Sequence, residues 1–403
     1  MRHPDLPSEW RIIPLSSVAD IQTGLALGKE AKVDPVRVPY LRVANVQDGY
    51  LDLTEIKEVV IERSILPRYS LRPGDVLMTE GGDYDKLGRG FIWHGEIPNC
   101  LHQNHVFVVR PHTEMLSYFL AALTSSDYGR AYFQGCSKQS TNLASINSSQ
   151  LKAFPVPLPP IWEQEAITSK LSIWDRGIRQ LSDLIAAKLR FKQGLMQQLL
   201  TGRRRFKKFK EQWSEHQLGD LFKEREETNR TNLPLLSITA DRGVVPRQEI
   251  ERKDTSSENK SLYKRIAPGD IGYNTMRMWQ GVSAMSSLEG IVSPAYTICI
   301  PRPAINAKFA AYLFKYPPVV HQFFRHSQGL VDDTLSLKFH HFAQIHVHVP
   351  SVEEQLRIVE VFQSADREID LLRKKLDALK TQKKGLMQKL LTGQVRVKLP
   401  DPV

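Results

Sequence analysis

The chain contains itself twice, and that limits what it can fold into more than anything else in it. Lys192-Gln-Gly-Leu-Met-Gln-Gln-Leu-Leu-Thr-Gly202 is echoed by Lys383-Lys-Gly-Leu-Met-Gln-Lys-Leu-Leu-Thr-Gly393, an offset of 383 − 192 = 191. Glu163-Gln164 matches Glu354-Gln355, Ile167 matches Ile358 and Pro159 matches Pro350 at that same offset. Weaker echoes lie upstream: Pro73-Gly74-Asp75-Val76 against Pro268-Gly269-Asp270-Ile271, and Trp10 with Leu15 against Trp213 with Leu218. Self-similarity of this kind marks one structural unit used twice. Each copy has a divergent front and a much more similar back, so the backs share a task and the fronts differ in theirs.

In the first back segment the apolar positions run Ile167, Leu171, Trp174, Ile178, Leu181 and Ile185, and after Lys188 and Lys192 they resume at Leu195 and Leu199. In the second they are Ile358, Phe362, Ala365, Ile369, Leu372, Leu376 and Leu379, then Lys383, Leu386 and Leu390. Steps of four and three keep such residues on one stripe of a helix with a coiled-coil register. Pro159-Pro160 and Pro350 precede these helices, and Thr201-Gly202 and Thr392-Gly393 end them, as start and stop signals should. A helix of about 40 residues at about 1.5 Å each spans about 60 Å. The simplest burial for two such stripes is against each other, antiparallel because a whole domain separates them; two amphipathic helices each lying on its own domain are the alternative. Lys188, Lys192 and Lys383 in seam positions point to a stretch of stripe that meets another protein or solvent.

The fronts read as mixed α/β. Val36 to Val46, Asp75 to Thr79, Val106 to Val109 and Thr297 to Ile300 have strand composition between turn formers. Met115 to Tyr132 and Ala307 to His326 read as helices. The expected fold class is therefore α+β with an internal pseudo-two-fold repeat. Two mixed α/β domains are separated by two long helices packed as an antiparallel coiled coil. The boundaries are 1–158 for the first front domain, 159–202 for the first helix, 203–349 for the second domain, 350–393 for the second helix and 394–403 for a tail.

A balance of 55 Lys+Arg against 44 Asp+Glu, formal charge +11, suits a polyanionic partner. Side chains of the types that read base edges are plentiful in loops: Arg42, Asn45, Gln47, Lys86, Arg89, Gln103, Asn104, Lys138, Gln139 and Asn142 in the first copy, and Arg242, Asn274, Arg277, Gln280, Lys338 and His340 in the second. Arg pairs with guanine and Asn or Gln with adenine in the major groove; for any one of these residues taken singly, solvated surface is the more ordinary reading. The run Arg203-Arg204-Arg205-Phe-Lys-Lys-Phe-Lys210 reads as a phosphate contact or as an exposed basic linker.

Other chemistries find little support. Cys100, Cys136 and Cys299 lack the paired spacing of a zinc site or disulfide framework, and are expected reduced and buried. Gly24-Leu-Ala-Leu-Gly28-Lys29-Glu30 has too short a spacing for a phosphate loop and Glu where Ser or Thr should hold magnesium. Glu55-Ile56-Lys57, with Asp5 or Asp34 as a distant acid, is a weak nuclease pattern. His340, His341, His346 and His348 lack the carboxylate or cysteine that would complete a metal site. No catalytic or metal-ligating residue is assigned. The absence of a long apolar run and of a leader-like start leads to the expectation of a cytoplasmic protein with no membrane contact.

Pro-Leu-Pro-Pro-Ile-Trp-Glu-Gln-Glu-Ala-Ile at 157–167, the paired Gly-Leu-Met-Gln and Leu-Leu-Thr-Gly motifs, and the Trp near the head of each copy resemble the specificity subunit of type I restriction-modification systems. The resemblance covers the whole chain in architecture, closely in the helices and in outline in the fronts. It implies that each front is a target recognition domain reading one half of a split site in double-stranded DNA. It also implies that the helices set the gap and dock two modification (methyltransferase) subunits, and with them the ATP-driven restriction subunits. S-adenosylmethionine, ATP and magnesium would then sit in those partners and no cofactor in this chain. Trp162, Glu163, Gln164, Glu354 and Gln355 would form the domain-to-helix junctions. The second copy departs from the first at Ser351-Val352, where the first has Pro160-Ile161. A methylating subunit would need a Gly-rich cofactor loop and an Asn-Pro-Pro-Tyr or Asp-Pro-Pro-Tyr stretch, and the sequence has neither. Rival readings are a stand-alone sequence-specific endonuclease and a structural coiled-coil adaptor.

Overall fold

The computed structural model describes residues 6–26, 28, 33–82, 84, 87–139, 144–250, 257–331 and 334–397. The chain divides into two compact units, one made of 1–182 with 374–403 and the other of 183–373. The division cuts through both long helices, Ile161–Leu199 and Val352–Leu391. The last residues of the chain thereby join the first unit.

In the first unit a four-stranded antiparallel sheet has the order Ala19–Thr23, Val106–Pro111, Val76–Thr79, Gly90–Ile92. Side chains alternate across a strand, and here both faces are covered. Val76, Met78, Phe107 and Val109 enter one core with Phe119, Leu123, Phe133, Ile167 and Leu171. Leu77, Val106 and Val108 enter another with Leu41, Val46, Trp93 and Cys100. The second unit repeats the plan with Phe222–Glu224, Tyr296–Pro301, Ile271–Asn274 and Ser283–Met285 in the same order. Ile271, Tyr273 and Cys299 face Phe309, Phe323, Ile358 and Phe362, while Ile298 packs with Leu236, Ile238, Ile266 and Val292.

The echoed Pro-Gly-Asp motif belongs to this frame. Gly74 and Gly269 turn the chain at φ 94° and 91°, a region open to glycine. Asp75, 1% exposed, accepts the Arg72 N–H and pairs with Arg110 at 2.7 Å. Asp270 accepts the Ala267 N–H and pairs with Arg225 at 2.7 Å.

Three local expectations change. The strand read from Val36 to Val46 ends at Leu41, where Val43–Asn45 makes a tight turn. The helix read from Met115 to Tyr132 is two, Ser117–Ser125 and Asp127–Cys136, the second capped by the Ser126 hydroxyl, which accepts the Gly129 N–H. Ala307 to His326 likewise splits into Ala307–Leu313 and Pro317–His326, because Pro317-Pro318 has no N–H to continue a helix but suits a first turn.

The helical stripe is buried largely as expected, and the pairing within each unit is antiparallel. In the first unit Ile167, Leu171 and Leu181 are buried, Trp174, Ile178, Leu376 and Leu379 are half-buried, and Leu390 and Leu391 share the core with Ile167. In the second, Ile185, Ile358, Phe362 and Ile369 are buried and Leu372 is half-buried. The seam lysines are partly exposed and each meets an acid: Lys383 reaches Asp175 at 2.5 Å in the first unit, and Lys188 and Lys192 reach Glu368 and Asp366 at 2.6 and 2.5 Å in the second. Each spans the seam to an acid on the other helix. Among the described residues no helix is long and apolar enough to cross a membrane.

Candidate nucleic-acid interface

The site is held at two junctions built alike. Glu163, fully buried, accepts the Trp10 indole N–H at 2.9 Å and the Arg396 guanidinium at 2.5 Å. Glu354, 1% exposed, accepts the Trp213 indole N–H at 3.3 Å and both arms of Arg205 at 3.0 and 2.7 Å. Hydrogen bonding to these carboxylates raises the Arg396 and Arg205 pKa values. Gln164 donates to the carbonyls of Glu114 and Pro159 and accepts the Leu116 N–H. Gln355 donates to those of Ala304 and Pro350 and accepts the Asn306 N–H. These bonds use backbone, so Ser351-Val352 in place of Pro160-Ile161 leaves the second junction equivalent to the first.

Arg205 is tied to a buried carboxylate through Nε and Nη2, its side chain 23% exposed. Arg203 and Arg204 remain exposed beside it.

Beyond each four-stranded sheet, the loops meet in a common pattern. In the first unit the Ile146 N–H donates to the Glu80 carbonyl at 2.9 Å, and in the second the Leu337 N–H donates to the Thr275 carbonyl at 2.8 Å. Each bond ties the loop after the central strand to the segment following Asp127–Cys136 or Pro317–His326.

Of the base-edge candidates in the first unit, Asn45 is removed. It is 3% exposed, its Oδ1 accepts the Arg42 N–H, and its Nδ2 donates to the carbonyls of Asp52 and Glu55. It closes a turn and has nothing left for a base. Arg42 bonds Glu55 at 3.1 Å, Gln47 bonds the Ala44 carbonyl, and Gln103 accepts the Val43 N–H at 3.4 Å. Asn104 contacts His105 Nε2 at 3.3 Å. Arg89 is half-buried. Lys86 and Asn142 lie outside the described residues. Lys138 and Gln139 form a two-residue strand with Ala144–Ser145.

In the second unit Arg242 pairs with Glu249 at 2.7 Å, and Asn274 accepts the Met276 N–H. Arg277 and Gln280 are exposed and bond each other at 3.4 Å. Lys338 and His340 are exposed at the short helix Phe339–Phe342. His346 and His348 share the exposed face of a strand whose Val347 and Val349 are buried.

Sequence reasoning missed several groups. Glu80 and His105 meet at 2.5 Å, though 25 positions apart. Tyr84 is exposed, and its carbonyl accepts from Gln134. In the second unit Trp279 packs on Phe324 with ring centroids 6.2 Å apart, beside exposed Met276. Only the loop placement reveals these, because no spacing rule links them. Of the weak nuclease pattern, Glu55 is held by Arg42 and Asp34 by Arg63 at 3.0 Å, while Asp5 lies outside the described residues. Cys100 and Cys299 are buried, Cys136 half-buried, and burial pushes the Cys100 thiol up to about 12.

This two-fold frame agrees with known proteins. Residues 7–188 match the family model of the type I restriction modification DNA specificity domain. The type I restriction enzyme MjaX specificity subunit of Methanocaldococcus jannaschii is similar at 25% identity over 98% of this chain and 95% of its own length. The EcoKI specificity subunit of Escherichia coli is 26% identical over 47% of this chain and 39% of its own. Among solved structures, a chain from work on assembly and conformational transition of the type I R-M system aligns with TM-score 0.65, covering 97% of this chain and 100% of that one, at 17% identity. The S subunit from M. genitalium aligns with TM-score 0.52, covering 97% of each chain, at 15% identity. The repeat and the junctions are thus set in a fold similar to that of these DNA-specificity proteins. Over nearly its whole length the chain is similar to a type I restriction enzyme specificity subunit, and residues 7–188 match the DNA specificity domain of that family.

Proposed function

We propose that each unit reads one half of a bipartite site in double-stranded DNA and that the chain performs no catalysis itself. The two long helices set the gap and dock two methyltransferase subunits. Those subunits supply S-adenosylmethionine, and restriction subunits joined to them supply ATP- and magnesium-dependent cleavage. One observation carries this reading: two units with the same sheet order and the same junction bonds bear different side chains in equivalent loops. After the central strand the first unit has Glu80-Gly81-Gly82 and the second has Thr275-Met276-Arg277. A shared frame with divergent loops is what two readers of different sequences require, since base edges are discriminated by side-chain type while phosphate contacts only position.

The test is to co-express the chain with a modification subunit encoded beside it and to sequence host DNA for methylated adenines. A split motif with a constant gap, changing on one side when one front domain is exchanged, supports the proposal. An assembled complex that leaves no split motif removes it.

A further inference from the structure

We propose that Glu80 reads a cytosine in the half-site of the first unit, and that His105 is the positioning residue that aims it. The inference rests on the two-reader account above. Glu80 follows the central strand Val76–Thr79 and precedes the bare two-residue strand Gly81–Gly82. That strand is the edge of its small sheet, and a Cβ placed on Gly82 would meet nothing within 4 Å. Gly82 sits at φ 155°, a backbone region that side chains rarely adopt, and the open space beside it leaves room for a ligand to approach the backbone. The Glu80 side chain is 32% exposed and that of His105 55%.

A carboxylate beside DNA repels phosphate, so it needs a base donor to be tolerated there. Glu80 Oε2 is held by His105 Nδ1 at 2.5 Å, and its backbone is fixed on both sides, the N–H by the His105 carbonyl and the C=O by the Ile146 N–H. Asn104 Nδ2, 3.3 Å from His105 Nε2, steadies the far side of the ring. Among the described residues the carboxylate's hydrogen bond is made by Oε2, which leaves Oε1 as the acceptor of a side chain about one third exposed. In the major groove the amino groups are cytosine N4 and adenine N6, and adenine adds an N7 acceptor that a carboxylate repels. Cytosine offers its amino group without that neighbour.

The experiment uses the complex with the modification subunit and duplexes in which each half-site position is changed in turn. Wild type should hold a C·G pair at one position of the half-site assigned to the first unit. Glu80→Gln should broaden that position to accept adenine, because an amide both accepts from N6 and donates to N7. His105→Ala should cut discrimination at the same position about tenfold or more, with the second half-site and the gap unchanged. A first half-site without a C·G pair overturns the proposal. So does a loss of binding that is uniform over every substituted duplex, since a structural role would lower affinity without altering the ratio at one position. Both outcomes leave the two-reader account standing; only the absence of a split motif in wild type removes that account.

Discussion

Arg396 bonds the buried carboxylate of Glu163 across 233 positions of sequence, and the same guanidinium reaches Glu9 at 2.7 Å. The C-terminal segment thereby completes the first junction as Arg205 completes the second. Removing one partner of a buried pair leaves an uncompensated charge, which costs more than the pair contributes. Arg396→Ala is expected to destabilise the first unit by about 2 kcal/mol, below the ~3–5 kcal/mol of fully buried cases because the Arg396 side chain is 36% exposed. Adding Glu163→Gln to Arg396→Ala should recover part of the loss. Thermal unfolding of the three chains checks this; a double variant no better than the single would show that the stranded charge is not the cause.

The same junction predicts tolerance to permutation. A Cβ on Gly393 would lie 2.7 Å from Pro7 and 3.4 Å from Trp10, so Gly393 lies against the Pro7–Trp10 segment as Gly202 lies against Trp213 within the continuous chain. A short linker joining the ends, with a new opening between Lys207 and Lys210, should give a chain that melts within a few degrees of the original. Retention of the methylation motif is the second readout. A permuted chain that fails to fold with several linker lengths would contradict the equivalence of the junctions.

The seam lysines are expected to be coupled to their acids. Lys192 Nζ lies 2.5 Å from Asp366, to which Tyr312 also donates at 2.6 Å, and 5.4 Å from the Tyr312 ring centroid. A double-mutant cycle with Lys192→Met and Asp366→Asn should return a coupling of about 1 kcal/mol, above an exposed pair because only 22% of the Lys192 side chain is accessible. A coupling indistinguishable from zero would make the pair incidental to helix register.

Much of this architecture was legible in the sequence because repetition is a sequence property. The stripe from Ile167 to Ile185 and its echo from Ile358 to Leu379 gave the helices, and the domain between them gave their antiparallel sense. The acids that meet the seam lysines were not legible, because a side chain's partner on another helix leaves no periodic trace. Asn45 and Arg205 have the composition of readers but are held by a turn and a buried carboxylate, which only tertiary contacts decide. Glu80 and His105 escaped for the converse reason: each looks ordinary alone, and their pairing depends on strand register. The proline break at Pro317-Pro318 was open to inspection, but a long apolar run masked it.

His102 gives a pH dependence whose sign can be worked out. It is 1% exposed and its Nδ1 donates to the Val106 carbonyl at 2.8 Å. Burial, partly offset by that bond, pushes its pKa from 6.5 down to about 4. Between those values the unfolded chain holds a proton that the folded chain refuses, so stability falls as pH drops. The contribution is intact above about pH 6.5, declines through the interval and levels off below about 4, in all about 3 kcal/mol. His102→Gln keeps a donor toward Val106 and removes the titration. The difference in unfolding free energy between the two chains, followed by denaturant titration from pH 7.5 to 4.5, should shift in favour of the variant as the pH falls. A difference that stays constant over that range would mean that His102 titrates alike in the folded and unfolded chain.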